Sequence, residues 1–153
     1  MTLYWEDFEA GSEIEIGRHT FTETAIIAFA REFDPQPFHV DPEAARRSAF
    51  GGLVASGWHT CSVSMRLMCD SYINRTVSMG SPGLESVRWP NPVRPGDTVT
   101  FRRRILETRA SRSKPEMGIV RTQWSGVNQR GETVLEMDGW GMFGRRPQPQ
   151  APR

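Results

Sequence analysis

The chain has 153 residues, of which 37% are hydrophobic and 24% charged, a composition typical of one compact domain with a buried core. The formal net charge of +1 is too small to indicate nucleic-acid binding, and no stretch approaches the roughly 18 apolar residues that a membrane helix needs. Acidic residues near the N-terminus are unlike the basic start of a secretory signal. We therefore expect a cytoplasmic protein that binds neither nucleic acid nor membrane.

The first part of the chain predicts one strand followed by helices. Apolar and acidic residues alternate at 13–18, as on a half-buried strand. A helix capped by Thr20 or Thr22 then ends before Pro35. Asp41, which is followed by a proline, has the form of an N-cap that opens a further short helix.

The second part predicts one long helix and then strands. Apolar residues recur every three or four positions over 57–72, which indicates a helix with one apolar face. Turn signals separate four strand-like segments, which are 84–89, 98–108, 117–127 and 133–143. We expect these consecutive strands to form an antiparallel meander in an α+β domain over 1–144. The Pro- and Gln-rich tail at 145–153 has no apolar surface to bury and is expected to be mobile.

The residues best suited to acid–base chemistry lie just after the first predicted helix. Asp34 and His39 flank two prolines, which stiffen the loop between them. Addition of water to a double bond needs a base for the water proton and an acid for the carbon, and these two groups supply both. We expect apolar Phe33 and Phe38 to tune their pKa values. On this evidence alone, a surface helix-capping acid and a structural histidine are the commoner interpretation.

A glycine-marked loop runs from Phe50 into the long helix at Gly57. The first N–H groups of a helix have no partner within the helix and carry partial positive charge, so they can stabilise a developing oxyanion. Glycines that merely permit tight turns would produce the same pattern.

Together these features resemble the MaoC-like dehydratase family, which includes the (R)-specific enoyl-CoA hydratases. The family pattern is an aspartate, four residues, a histidine closely followed by Asp-Pro, a Phe-Gly loop and a glycine that starts the central helix. The residues in those places are Asp34, His39, Asp41-Pro42, Phe50-Gly51 and Gly57. The resemblance runs from about residue 22 to 65, and the turn at 93–97 is a further family-like feature.

The resemblance implies a hot-dog fold, in which an antiparallel sheet wraps a long helix, assembled as a homodimer or a dimer of dimers. It implies hydration of a trans-2-enoyl group carried by CoA or acyl carrier protein, with Asp34 and His39 catalytic and the Gly57 N–H polarising the thioester carbonyl. No metal and no cofactor other than the CoA of the substrate is expected. Gln36, Ser56 and Met65 replace the asparagine, histidine and serine common in the family, which bears on substrate scope.

We predict that the substrate contacts five further side chains, namely Phe38, Phe50, Ser56, Trp58 and Met65. Trp58 and Met65 belong to an apolar helical stripe that suits either an acyl tunnel or an ordinary core. His59 is expected to be packed or solvated rather than catalytic. The three arginines at 102–104 cannot share one face of a strand, so no single arginine is assigned to the CoA phosphates.

Two other functions remain open from the sequence. A hot-dog thioesterase would place a catalytic acid on the central helix, where Asp70 is the candidate but lies far from the helix start. A non-catalytic acyl-CoA-binding subunit is the other alternative, because a fold alone does not establish activity.

Overall fold

The computed structural model describes residues 1–149, in which one long helix packs on a five-stranded antiparallel sheet. The elements in chain order are β1 (Glu13–Thr20), α1 (Glu23–Phe33), α2 (Pro37–Val40), α3 (Pro42–Arg46), α4 (Gly57–Ser71), β2 (Gly83–Arg88), β3 (Thr98–Ala110), β4 (Met117–Val127) and β5 (Thr133–Gly144). Short 3₁₀ turns lie at Trp5–Asp7 and Ile73–Arg75. This is the predicted α+β arrangement of strand, helices and then strands.

The sheet has the strand order β1-β3-β4-β5-β2. Strands β3, β4 and β5 form the predicted meander, but β2 pairs with β5 at the edge opposite β1. The prediction of four consecutive neighbouring strands was therefore wrong for β2. The segment 89–97 that joins β2 to β3 contains three prolines, which lack N–H donors and fix φ, and it is too long for a tight hairpin.

The helices begin where side chains can satisfy their first N–H groups. The Thr22 hydroxyl accepts from the N–H of Ala25 at the start of α1, and the Asp41 carboxylate caps α3. The core lies between α4 and the concave face of the sheet, and its fully buried apolar side chains include Phe21, Ile26, Phe101, Ile105 and Leu135. Each such side chain contributes roughly 1.5–3 kcal/mol by burial.

The end of the described chain contacts its beginning. The Arg145 N–H donates to the Glu116 carbonyl, and the Arg146 guanidinium donates to the Asp7 carboxylate at 2.9 Å. These contacts lie beyond the predicted domain boundary at 144, and residues 150–153 of the predicted tail lie outside the described residues. Within residues 1–149, no helix is long and apolar enough to cross a membrane, and no cluster of metal-binding side chains is found.

Candidate active site

Asp34 and His39 meet at the junction of α1 and α2. Asp34 ends α1, where its N–H donates to the Ala30 carbonyl, and Pro37 then opens the single turn α2 that carries His39. The sequence predicted a stiff loop here, and the structure shows a helical turn instead. The His39 Nε2 lies 3.2 Å from the Asp34 Oδ2, and the histidine is only 6% exposed.

The other ring nitrogen of His39 determines where its protons lie. Nδ1 is 2.6 Å from the carbonyl oxygen of Val54. A carbonyl can only accept a hydrogen bond, so Nδ1 carries a proton. In a neutral ring, Nε2 would then present a lone pair to a carboxylate oxygen at 3.2 Å. The contact is favourable when a proton lies between the two atoms, so the pair can share a proton and pass it from one group to the other.

Two further donors hold the Asp34 carboxylate. The Ser56 hydroxyl donates to Oδ2 at 2.7 Å, and the Gln36 side-chain amide donates to Oδ1 at 2.8 Å. Burial acts to raise the pKa of Asp34, but the hydrogen bonds from Ser56 and Gln36 and the charge of His39 together lower that pKa below its ordinary value. Asp34 is thus kept ionised and ready to accept a proton.

The same serine also starts the central helix. Ser56 is fully buried, and its hydroxyl accepts from the N–H of Trp58 at 3.3 Å as the N-cap of α4. Gly57, the first residue of α4, has an N–H that bonds to no acceptor among residues 1–149. One hydroxyl therefore links the Asp34 carboxylate to the end of α4 that presents this free donor.

Gly57 is required by a close approach rather than by a turn. The Trp89 indole lies across it, so a Cβ at position 57 would be 2.4 Å from the nearest ring carbon. The Trp89 Nε1–H also donates to the Gly57 carbonyl at 3.1 Å. The indole thus holds in place the residue that carries the free N–H.

His39 and Gly57 border a cavity of about 310 Å³, here called the first cavity, whose lining does not include Asp34. Its lining includes Phe38, His39, Phe50, Gly57, Thr60, Trp89 and the segment 90–93. The Phe38 ring lies edge-on to the His39 ring at 4.6 Å and shields it from solvent. Phe33 does not take the predicted part in this shielding, because it is 65% exposed and packs on Phe29.

Of the five residues predicted to contact the substrate, only some line the first cavity. Phe38 and Phe50 line the first cavity, and Ser56 lies behind it, bonded to Asp34. Trp58 is 58% exposed and touches Trp89 edge-on, outside the lining. Met65 lines a separate cavity further along α4. His59 is packed between aromatic rings, as predicted.

The segment 89–93 is the part of the site that sequence reasoning missed. The sequence predicts Trp89 as the end of a strand and assigns 90–92 no role in the site, yet 89–93 forms one wall of the first cavity, where the Asn91 amide donates to the Thr133 carbonyl at 2.9 Å. Arg94, next in the chain, donates to the Phe50 carbonyl at 2.7 Å and holds the glycine loop. The dense prolines beside a tryptophan were the available signal, since such a segment is stiff.

Comparisons with known proteins agree with this geometry. The sequence profile of the family described as "MaoC like domain" matches residues 8–127. A MaoC-like dehydratase from Rhodospirillum rubrum is 43% identical, with a TM-score of 0.85 over 95% of this chain and 99% of that one. The 3-hydroxyacyl-thioester dehydratase Z of Mycobacterium tuberculosis is 34% identical over 98 residues, which is 61% of this chain and 65% of that protein.

A third comparison concerns the fold alone. A Mycobacterium tuberculosis protein with a double hot-dog fold is 17% identical, with a TM-score of 0.76 over 99% of this chain and 47% of that one. This likeness confirms the predicted hot-dog fold, in which α4 is the wrapped helix. By its profile match and its 43% identity to the Rhodospirillum rubrum protein, the chain belongs to the MaoC-like domain family.

Proposed function

We propose that the protein reversibly hydrates a trans-2-enoyl thioester, with CoA as the carrier, to the 3-hydroxyacyl thioester. The observation that carries the proposal is the 3.2 Å contact between the Asp34 carboxylate and the His39 imidazole at the wall of an apolar cavity. The free N–H of Gly57 borders the same cavity. The name of the mycobacterial relative, a 3-hydroxyacyl-thioester dehydratase, supports the same reaction class.

The proposed reaction balances on these groups alone. Asp34 takes a proton from water as the water oxygen bonds to C3 of the enoyl group, and the electron pair moves toward the thioester oxygen. The Gly57 N–H stabilises that oxygen, which is charged only in the transition state and the intermediate. His39 Nε2–H then protonates C2. The proton on Asp34 returns to His39 across their contact, and the reverse sequence dehydrates the product.

A thioesterase is the second function to separate. Asp70, its candidate acid on the central helix, is exposed and pairs with Arg66 at 2.9 Å near the far end of α4. It therefore lies far from the first cavity, whose lining does not include it.

The test presents purified protein with a panel of enoyl-CoA substrates. Loss of the conjugated double bond and release of free thiol are followed in the same reaction. We expect loss of the double bond without thiol release. Thiol release without hydration would favour a thioesterase, and no turnover of any thioester would favour a non-catalytic acyl-CoA-binding subunit.

We also propose that the protein forms a homodimer through the outer edge of β2. Among residues 1–149, no strand pairs with that edge, which leaves backbone N–H and C=O groups open. Leu84 on β2 is 49% exposed, and Trp58 and Met65 on α4 are also exposed, so the neighbouring surface is apolar. Sedimentation equilibrium should give a dimer or a larger even-numbered assembly, and a monomer at micromolar concentration would contradict it.

A further inference from the structure

A second cavity of about 460 Å³ lies further along α4. From α4 it is lined by Cys61, Met65, Met68 and Tyr72, and from the sheet mainly by Trp124 and Trp140. Its walls are predominantly apolar, with flexible methionines that adapt to varied ligand shapes. The linings of the first and second cavities have no residue in common.

Trp89 stands at the boundary between the two cavities. Its indole lines the first cavity and covers Gly57, one turn of α4 before Cys61. Cys61 lies on the same face of α4 as Gly57, four residues further along, and lines the second cavity. The indole therefore lies on the face of α4 along which the first cavity, lined by Thr60, gives way to the second, lined by Cys61.

The indole is also held in place. Its Nε1–H bonds to the Gly57 carbonyl at 3.1 Å, and the Trp58 ring packs edge-on against it at 5.3 Å. The residue that follows is Pro90, which restricts the backbone of Trp89 to extended conformations. A side chain fixed by a hydrogen bond, a ring contact and a restricted backbone acts as a wall rather than as a loose flap.

We propose that Trp89 determines which acyl chains the enzyme accepts, by closing the first cavity against the second and so limiting the substrate to short acyl groups. The inference rests on the proposed hydration reaction, because it places the thioester beside Gly57 and the acyl chain beyond it. Removal of the indole joins the two cavities into one apolar channel along α4. A long acyl chain then has a buried place to occupy.

The first experiment compares the chain-length preference of the wild type with that of Trp89→Ala and Trp89→Phe. For each protein, kcat/KM is measured with a four-carbon and a ten-carbon enoyl-CoA, and their ratio is compared. Trp89→Ala should raise the ratio in favour of the ten-carbon substrate by roughly 10- to 100-fold, since each buried methylene has a substantial effect on binding. Trp89→Phe retains a ring without the hydrogen bond to Gly57 and should keep the short-chain preference.

Use of the ratio separates specificity from damage to the Gly57 peptide. Loss of the Trp89 hydrogen bond lowers turnover of both substrates alike, whereas an opened wall changes their ratio. An unchanged ratio in Trp89→Ala, or a wild type that already prefers the ten-carbon substrate, would overturn the proposal.

The second experiment does not depend on turnover. Cys61 lines only the second cavity, so its alkylation reports whether that cavity is occupied. The reaction uses a Cys69→Ser background, saturated decanoyl-CoA as the ligand, and alkaline pH because burial raises the pKa of the Cys61 thiol. Decanoyl-CoA should protect Cys61 in Trp89→Ala and leave its alkylation rate unchanged when Trp89 is present.

The two experiments fail in distinguishable ways. One outcome is that the wild type hydrates no enoyl thioester but the protection pattern appears. The hydratase proposal is then wrong, and the proposal that Trp89 separates the two cavities stands. The other outcome is that hydration is observed, but butyryl-CoA and decanoyl-CoA protect Cys61 equally, both in the wild type and in Trp89→Ala. The proposal that Trp89 separates the two cavities is then wrong, and the hydratase proposal stands.

Discussion

Two histidines of this protein are buried to almost the same extent and have opposite surroundings. His39 is 6% exposed and has a polar partner at each ring nitrogen, the Val54 carbonyl and the Asp34 carboxylate. His59 is 7% exposed, and its Nδ1 has no partner among residues 1–149. Its ring instead stacks on Phe29 at 4.7 Å, nearly parallel.

Polar partners, rather than burial, therefore distinguish the histidine of the candidate site from the histidine packed among aromatic rings. Burial, with a smaller contribution from His19, lowers the pKa of His59 to about 4, so that this ring stays neutral. His39 is equally buried, but the Val54 carbonyl and the Asp34 carboxylate can each accept a hydrogen bond from one of its ring nitrogens. The experiments that follow change the partner or the burial separately.

Removal of the charged partner of His39 should have the largest effect. Asp34→Asn keeps the shape of the α1–α2 junction and removes the proposed base, so kcat should fall by about a hundredfold to ten-thousandfold while the protein stays folded. Asp41→Asn is the matched control, because asparagine also caps α3 and Asp41 lies outside the first cavity. Steady-state hydration assays and circular dichroism test this prediction.

His39→Ala should be about as severe as Asp34→Asn, and the double variant should be little worse than either one, because one addition of water needs both the base and the acid. Multiplicative losses in the double variant would show that they act independently. Hydration unaffected by Asp34→Asn would exclude the proposed site.

The burial of His59 should make the folded protein less stable at acidic pH. The unfolded chain takes up a proton near pH 6.5, whereas folded His59 does so only near pH 4. The free energy of unfolding therefore falls as the pH is lowered from about 6.5 to about 4, by up to about 3 kcal/mol from this residue, and this contribution changes no further below that range. His59→Leu should remove that part of the loss in urea titrations at pH 7 and pH 4.5.

His19→Asn serves as the comparison for this pH effect. His19 is nearby and only half-buried, and burial lowers its pKa as well. Equal acid sensitivity in the wild type and His59→Leu would show that the His59 ring is already solvated in the folded protein.

Loss of one hydrogen-bond donor to Asp34 should have a moderate effect on the pH dependence of kcat/KM. Ser56→Ala and Gln36→Ala each remove one hydrogen bond to the carboxylate, which should raise the pKa of Asp34 and move the acid limb of the kcat/KM profile to higher pH. Only Ser56→Ala also removes the N-cap of α4, at a cost of about 1 kcal/mol in stability. An acid limb that stays in place in both variants would contradict the assigned hydrogen bonds.

Removal of an exposed ion pair should have the smallest effect on stability and activity. Arg146 pairs with Asp7 at the protein surface, and such exposed ion pairs contribute about 0–1 kcal/mol. Removal of residues 147–153 should leave the melting temperature and activity unchanged, and removal of 145–153 should lower stability by about 1 kcal/mol at most. A large loss of activity on removal of 147–153 would show that the tail reaches the site.

The sequence predicted most of the fold because its signals are local. The spacing of apolar residues placed α4, and turn residues separated β3, β4 and β5. The position of β2 beside β5 is a long-range pairing that no local signal specifies. The same limit applies to Phe33, whose apolar character gave no sign that it points to solvent.

The candidate site was predictable where its chemistry resides in side chains. Asp34, His39 and Gly57 stand out by residue type and spacing. The Val54 carbonyl could not be found in this way, because every residue has a carbonyl and only the fold brings this one to His39. Trp89 was missed for a related reason, since it comes from the segment between two strands, 32 residues after the glycine it covers.

The contact between Gly57 and Trp89 makes the two positions mutually dependent in any mutational history of the protein. A Cβ at 57 and an indole at 89 cannot occupy the same space, so Gly57→Ala is incompatible with the present structure. After Trp89 is replaced by a smaller residue, the same alanine becomes sterically acceptable. The order in which the two substitutions occur therefore decides whether the intermediate protein survives, and a broadened acyl pocket would have to arise before any change at the helix start.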